Sequence, residues 1–164
     1  NWEKKTYKDR VDEIKKALIH IDVDEVIVGA IQDGYLKHDP DTIDFLSNII
    51  KKYSIDTVLC QYYKDTHQDH VNLGLNTLSI ATSCKNLIFY ESLTSTEFVP
   101  NYYIDISKYE IDKKNVLKEY VSQIEKYKNR NQDLLSYIDA KDKINGIKSH
   151  VDYAEGFIIN KMVQ

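Results

Sequence analysis

The residues best suited to chemistry lie in one stretch, Asp65-Thr66-His67-Gln68-Asp69-His70. His67 and His70 are three apart at the expected start of a helix, a spacing that lets both rings face one cleft. Neutral imidazole is a common zinc ligand, and a catalytic zinc takes about three protein ligands with one position left open. Asp69 can orient a neighbouring imidazole and so decide which ring nitrogen keeps its lone pair. The plainer reading is a helix start, with acidic residues favoured by the dipole and histidines that only cap. Two other polar clusters follow apolar runs, Gln32-Asp33-Gly34 and Glu91-Ser92. Asp33-Gly34 suits a tight turn as well as a site. Arg10, one of 2 arginines against 20 lysines, reads as a solvated helix residue paired with Asp9 or Glu13, with a functional role as the alternative.

These loops can cooperate only if a sheet gathers them. Glu25–Ala30, Asp56–Gln61 and Asn86–Glu91 carry short apolar runs that read as buried strands. Helices are expected between and before them: from a Thr6 cap to about Ile19, from Asp39-Pro40 to about Tyr53, and from Gln68 to Ser83. Further on, the pattern suggests a strand at Tyr102–Ile106, a long polar helix over Lys108–Tyr127, a helix over Asn131–Ile144 and a closing strand over Val151–Lys161. Alternating strands and helices are the signature of a parallel sheet, whose ligands bind beyond the carboxyl ends of the strands. The three polar clusters follow the first three expected strands, on that one edge.

Composition narrows the choices. The 164 residues are 42% apolar and 29% charged, enough for a packed core, and one domain is expected over 1–164. A net charge of −4 argues against a nucleic-acid binder. No apolar stretch is long enough to span a membrane. Cys60 and Cys84 both sit in apolar segments without CxxC spacing, and read as buried free thiols of a reducing, cytoplasmic setting. No phosphate-binding glycine loop is present, which disfavours a nucleotide-binding domain.

Taken in order, the motifs resemble those of the PIG-L/LmbE-like zinc-dependent N-deacetylases. The resemblance rests on His67-Gln68-Asp69-His70 as an HxDH motif, with Arg10-x-x-Glu13, Asp33-Gly34, Tyr90-Glu91-Ser92, Phe98-x-Pro100-Asn101, Asp105-Ile106-Ser107, Tyr120-x-Ser122-Gln123 and Tyr153-Ala154-Glu155-x-Phe157. It implies a Rossmann-like three-layer α/β sandwich with a mostly parallel sheet, hydrolysing an N-acetyl group on an N-acetylglucosamine-type sugar or sugar conjugate. It implies His70 as a zinc ligand and His67 as the imidazole that stabilises the oxyanion or protonates the leaving amine. Asp69 would hold His67, while Arg10 and Asp33 would shape or bind the substrate side.

One part of the family pattern is missing. An AHPDDE-like motif, which supplies two zinc ligands and the general base, occurs nowhere in these 164 residues. The expectation is a family member whose first strand–helix portion lies outside this sequence, with Zn2+ bound in the complete protein and weakly or not at all here. Val26–Val28 would then lack a neighbouring strand, an edge open to pairing with another chain. Partners implied are a small amidosugar or sugar conjugate and, as is common in the family, further copies of the chain. The rival reading is a sugar-binding relative that has lost its metal and its hydrolysis.

Overall fold

Three helices in this chain begin where the side chain of the N-cap residue replaces the missing backbone acceptor. The computed structural model describes residues 2–163. In order they form α1 (Trp2–Ala17), α2 (Pro40–Tyr53), β1 (Thr57–Gln61), α3 (Gln68–Ser79), a 3-10 turn (Ala81–Ser83), β2 (Asn86–Tyr90), β3 (Tyr102–Asp105), α4 (Glu110–Lys118), α5 (Val121–Lys128), α6 (Leu134–Ser149) and β4 (Ala154–Lys161). Asp39 caps α2 by accepting from the Thr42 amide at 3.0 Å, and Pro40 follows in the first helical position. Asp133 caps α6 through the amides of Leu135 and Ser136. Both helices end on a residue in the left-handed region, Ser54 and His150, whose N–H closes the last turn. Helix α1 already begins at Trp2, so Thr6 lies inside it and not at its cap.

The four strands make one mixed sheet in the order β1-β2-β4-β3. β1 and β2 pair in parallel from Thr57↔Asn86 to Gln61↔Tyr90, whereas β4 runs antiparallel to β2. The α/β class is as expected, but the sheet is less parallel than the sequence suggested. Two further expectations change. No strand forms over residues 25–30, where Val26, Ile27 and Val28 are exposed and Ala30 sits at φ 52°, in the left-handed region. A strand exists only through its ladder, and among the described residues this run joins none. The long helix expected over Lys108–Tyr127 is two helices, because the Glu13 carboxylate accepts from the Ser122 amide at 2.6 Å and the Ser122 hydroxyl at 2.9 Å. That carboxylate caps a new helix start from outside the helix.

The described residues fall into two compact units. The residues up to Val28 with Ile104–Glu155 hold α1, α4, α5 and α6, and bury Ala17, Ile106, Leu134 and Ala154. Gly29–Tyr103 with the residues from Gly156 hold the candidate site. Their core is Leu87 and Phe89, both fully buried, packed with Cys60, Tyr62 and Cys84. Fully burying a Leu or Phe contributes roughly 1.5–3 kcal/mol. Tyr62 meets Phe89 and Phe98 edge-on at 5.9 and 5.3 Å between ring centroids. Both cysteines are free and buried, and burial pushes the Cys60 thiol above its ordinary value. No helix among the described residues is long and apolar enough to cross a membrane.

Helix α3 reaches the sheet because Gly74 has no side chain. A Cβ there would lie 2.7 Å from Tyr63 Cβ and 2.8 Å from its Cα. Gly74→Ala therefore has to separate α3 from the β1 loop. We expect it to cost about 1–3 kcal/mol, read as a lower urea midpoint with an unchanged slope.

Candidate functional site

Past the ends of β1 and β2, the two chain segments keep pairing as they leave the sheet. Thr96 N–H donates to Lys64 C=O at 2.8 Å and Thr66 N–H to Thr94 C=O at 3.0 Å. This pairing lays Asp65 beside the hydroxyl cluster Ser92, Thr94 and Ser95. The Asp65 side chain has no exposed surface. Its Oδ1 accepts from the His67 amide at 2.8 Å, and its Oδ2 from Ser92 Oγ at 2.5 Å and Ser95 Oγ at 3.1 Å. Burial alone would push this carboxyl up. The hydrogen bonds from Ser92, Thr94, the His67 amide and His70 outweigh it and hold the group well below the usual carboxylate range.

Asp65 Oδ2 also lies 3.2 Å from His70 Nδ1. With Asp65 ionised, the proton of the His70 ring stays on Nδ1, and Nε2 keeps its lone pair. Thr94 Oγ1 adds a longer contact to the same Nδ1, at 3.4 Å. His67 is held in the reverse sense. It is the N-cap of α3, and its Nδ1 accepts from the Asp69 amide at 3.3 Å. The neutral His67 ring therefore carries its proton on Nε2, which faces Asp33 Oδ1 at 4.0 Å. The two rings stack with centroids 4.6 Å apart and 28° between planes. Capping and chemistry are thus not alternatives here, because the cap is what assigns the proton of His67.

Asp33 Oδ1 lies near His67, which stacks on His70, and the Asp33 side chain is 88% exposed. Asp69 is also there, but its contact differs from the expected one. Its carboxylate accepts from the Gly34 amide at 2.6 Å and the Leu36 amide at 3.2 Å, and it meets His67 only through its backbone. Two backbone donors in good position satisfy the carboxylate, leaving the His67 ring to the N–H of Asp69. Arg10 belongs to the other unit, where it pairs with Glu13 at 3.0 Å and lies over the Tyr120 ring at 5.5 Å. Asp65 is the residue whose importance the sequence did not reveal. Its signal was an aspartate two residues before a histidine, the spacing of an Asx turn.

A zinc site needs converging donors, and the described residues contain no group of three His, Cys, Asp or Glu able to hold a metal. His70 Nε2 offers one lone pair of suitable chemistry. By itself it does not make a zinc site.

Residues 1–81, just under half of the chain, match the model of the PIG-L family, GlcNAc-PI de-N-acetylase. Among solved structures, the conserved protein TT1542 from Thermus thermophilus is 20% identical with a TM-score of 0.79, over 96% of this chain and 75% of that one. N,N'-diacetylchitobiose deacetylase from Pyrococcus horikoshii is 20% identical with a TM-score of 0.74, over 93% of this chain and 63% of that one. GalB, the 4-carboxy-2-hydroxymuconate hydratase from Pseudomonas putida, is 16% identical with a TM-score of 0.72, over 96% and 73%. These likenesses establish the fold. A deacetylase and a hydratase share it, so the reaction has to be argued from the site.

The depressed Asp65 carboxyl makes a prediction of definite sign. Its contribution to stability is complete above the unfolded value of about 4 and declines as pH falls from there toward the lower folded value. Asp65→Asn should lower stability at neutral pH and flatten the acid limb of the profile below about pH 4. Urea denaturation across a pH series checks both, and an unchanged acid limb would contradict the buried-anion account.

Proposed function

We propose that this chain, whose residues 1–81 match the PIG-L family model, is the body of an amide hydrolase that removes the N-acetyl group of an N-acetylglucosamine-type sugar or sugar conjugate. The observation that carries the reading is the stacked histidine pair, His67 Nδ1 meeting a backbone amide and His70 Nδ1 a buried carboxylate, beside the exposed carboxylate of Asp33. Water gives a proton to the carboxylate general base of the complete protein as it adds to the amide carbonyl carbon, leaving a tetrahedral species with negative charge on the former carbonyl oxygen. His67 Nε2–H is the donor for that oxygen, or for the nitrogen as the C–N bond breaks and the amine leaves. Asp33 accepts from substrate hydroxyls at the rim. Arg10, braced by Glu13, is proposed to shape the substrate side.

Zinc dependence is part of the proposal for the complete protein, with His70 Nε2 as one ligand. The described residues do not assemble a full site, so none of the steps above runs through the metal. The second reading is a sugar-binding relative without hydrolysis. Assembly into homo-oligomers and a cytoplasmic location complete the proposal.

The test compares variants of the complete protein for metal content and for deacetylation of an N-acetylglucosamine conjugate. His70→Ala should lower both together. His67→Ala should keep its metal and lose turnover by about 10²–10⁴-fold. Binding of the conjugate by the parent protein without any turnover would favour the second reading. Metal lost from His67→Ala but kept by His70→Ala would exchange the two roles.

A further inference from the structure

The stretch that carries Asp33 has no strand or helix to hold it, yet its backbone is not left to solvent. Gln32 to Tyr35 forms a tight turn, with Tyr35 N–H on Gln32 C=O at 3.0 Å and Gly34 at φ 85°, a conformation that favours glycine. Beyond it, one face of α3 grips the chain. The Gly34 and Leu36 amides donate to the Asp69 carboxylate, and Gln68 Nε2 donates to Gly34 C=O. Asn72 Nδ2 donates to Leu36 C=O at 2.8 Å, and Asn76 Nδ2 to Lys37 C=O at 2.8 Å. Positions 68, 69, 72 and 76 recur at helical spacing, so a single face supplies every one of these bonds.

We infer that this polar face of α3 is the anchor of a substrate-reading lip, residues 33–37, and that the Asp69 carboxylate makes it a positioning residue that acts on Asp33 through the lip backbone. This rests on the amide-hydrolase reading for what the lip reads, but not for how it is held. Each anchoring bond uses lip backbone, so the lip's own side chains are spared. Asp33 and Tyr35, both well exposed, are free to meet a ligand: a carboxylate for hydroxyls and an aromatic face for the apolar side of a sugar ring. The helix that presents His67 and His70 thus also sets the height of the lip above them. A carboxylate is suited to the position at 69 because it accepts twice and carries no donor to oppose the two amides.

The experiment is amide hydrogen exchange, residue by residue, on the parent protein, Asp69→Asn and Asn72→Ala. An Asn side chain has one acceptor oxygen and an NH2 that opposes the second amide. Asp69→Asn should therefore speed exchange of the Gly34 and Leu36 amides by about tenfold or more, while the core amides of Leu87 and Phe89 keep theirs. Asn72→Ala, should the first variant fail to fold, should loosen the same two amides to a lesser degree. Steady-state kinetics on the conjugate add the readout that loop anchoring alone would not move. Asp69→Asn should raise KM by about tenfold with kcat changed much less, since Asp33 is displaced and His67 is not. Unchanged Gly34 and Leu36 exchange in both variants overturns the inference, as does a fall in kcat at constant KM. Faster exchange in a protein whose parent form shows no hydrolysis keeps the anchor and removes the amide-hydrolase reading instead.

Discussion

One buried carboxylate ties the site together. Asp65 accepts from the His67 amide, from Ser92 and Ser95, and from the His70 ring, so it joins the loop after β1, the start of α3 and the loop after β2. A buried anion with too few donors costs several kcal/mol, which makes such a group all-or-nothing. Here it is fully supplied. Removing any one donor leaves the charge short, so the three segments hold one another in register. The orientation of His70 is a by-product of that satisfaction: the ring is turned so that Nδ1 serves Asp65, and Nε2 is what remains.

The sequence shows where the chemistry sits better than it shows how it is held. The run from Asp65 to His70 stands out because its residue types are suited to catalysis, and it follows a strand as the pattern required. Asp33-Gly34 also reads correctly as a turn near the site. The donors on Asp65 come from a hydroxyl cluster some 27 to 30 residues later, and nothing local announces that pairing. The same holds for Glu13 and Ser122, 109 residues apart. Each of these two sits in a recognisable motif, but only tertiary packing reveals that one caps the helix begun near the other. That cap is why a polar stretch with unbroken helical character becomes α4 and α5. At Val26–Val28 the opposite happens: local propensity for a strand is strong, and the ladder that would realise it is missing among the described residues.

Helix α3 carries several tasks on different faces. Its amino end presents the two imidazoles, and His67 serves as cap and proton carrier at once. Its inner face meets the sheet, with Gly74 against Tyr63 and Thr77 Oγ1 3.3 Å from Cys60 Sγ. The face bearing Gln68, Asp69, Asn72 and Asn76 holds backbone. Hydrophobicity alone makes α3 look like an indifferent amphipathic helix, because asparagines at core-facing positions are poor evidence of burial. Asn76 is nonetheless fully buried; its Nδ2 donates to Lys37 C=O, while its Oδ1 has no hydrogen-bond partner among the described residues.

Opposed proton positions in two stacked rings give the site a polarity that either ring alone would lack. His67 presents a donor at Nε2 and His70 presents an acceptor, each fixed by a partner on the other side of its ring. Hydrolysis of an amide and hydration of a double bond both add water to an electrophilic carbon, and both build negative charge that a donor can meet. What separates them is the leaving amine, which has to be protonated, and the substrate that fits above the rings. A fold that carries both a deacetylase and a hydratase therefore does not decide between these outcomes through its sheet or its core. The decision falls to the groups that can vary without disturbing the buried anion or the helix cap. Under the proposed amide-hydrolase reading, those are the exposed side chains of a loop whose backbone is held by another element, with Asp33 Oδ1 4.0 Å from His67 Nε2.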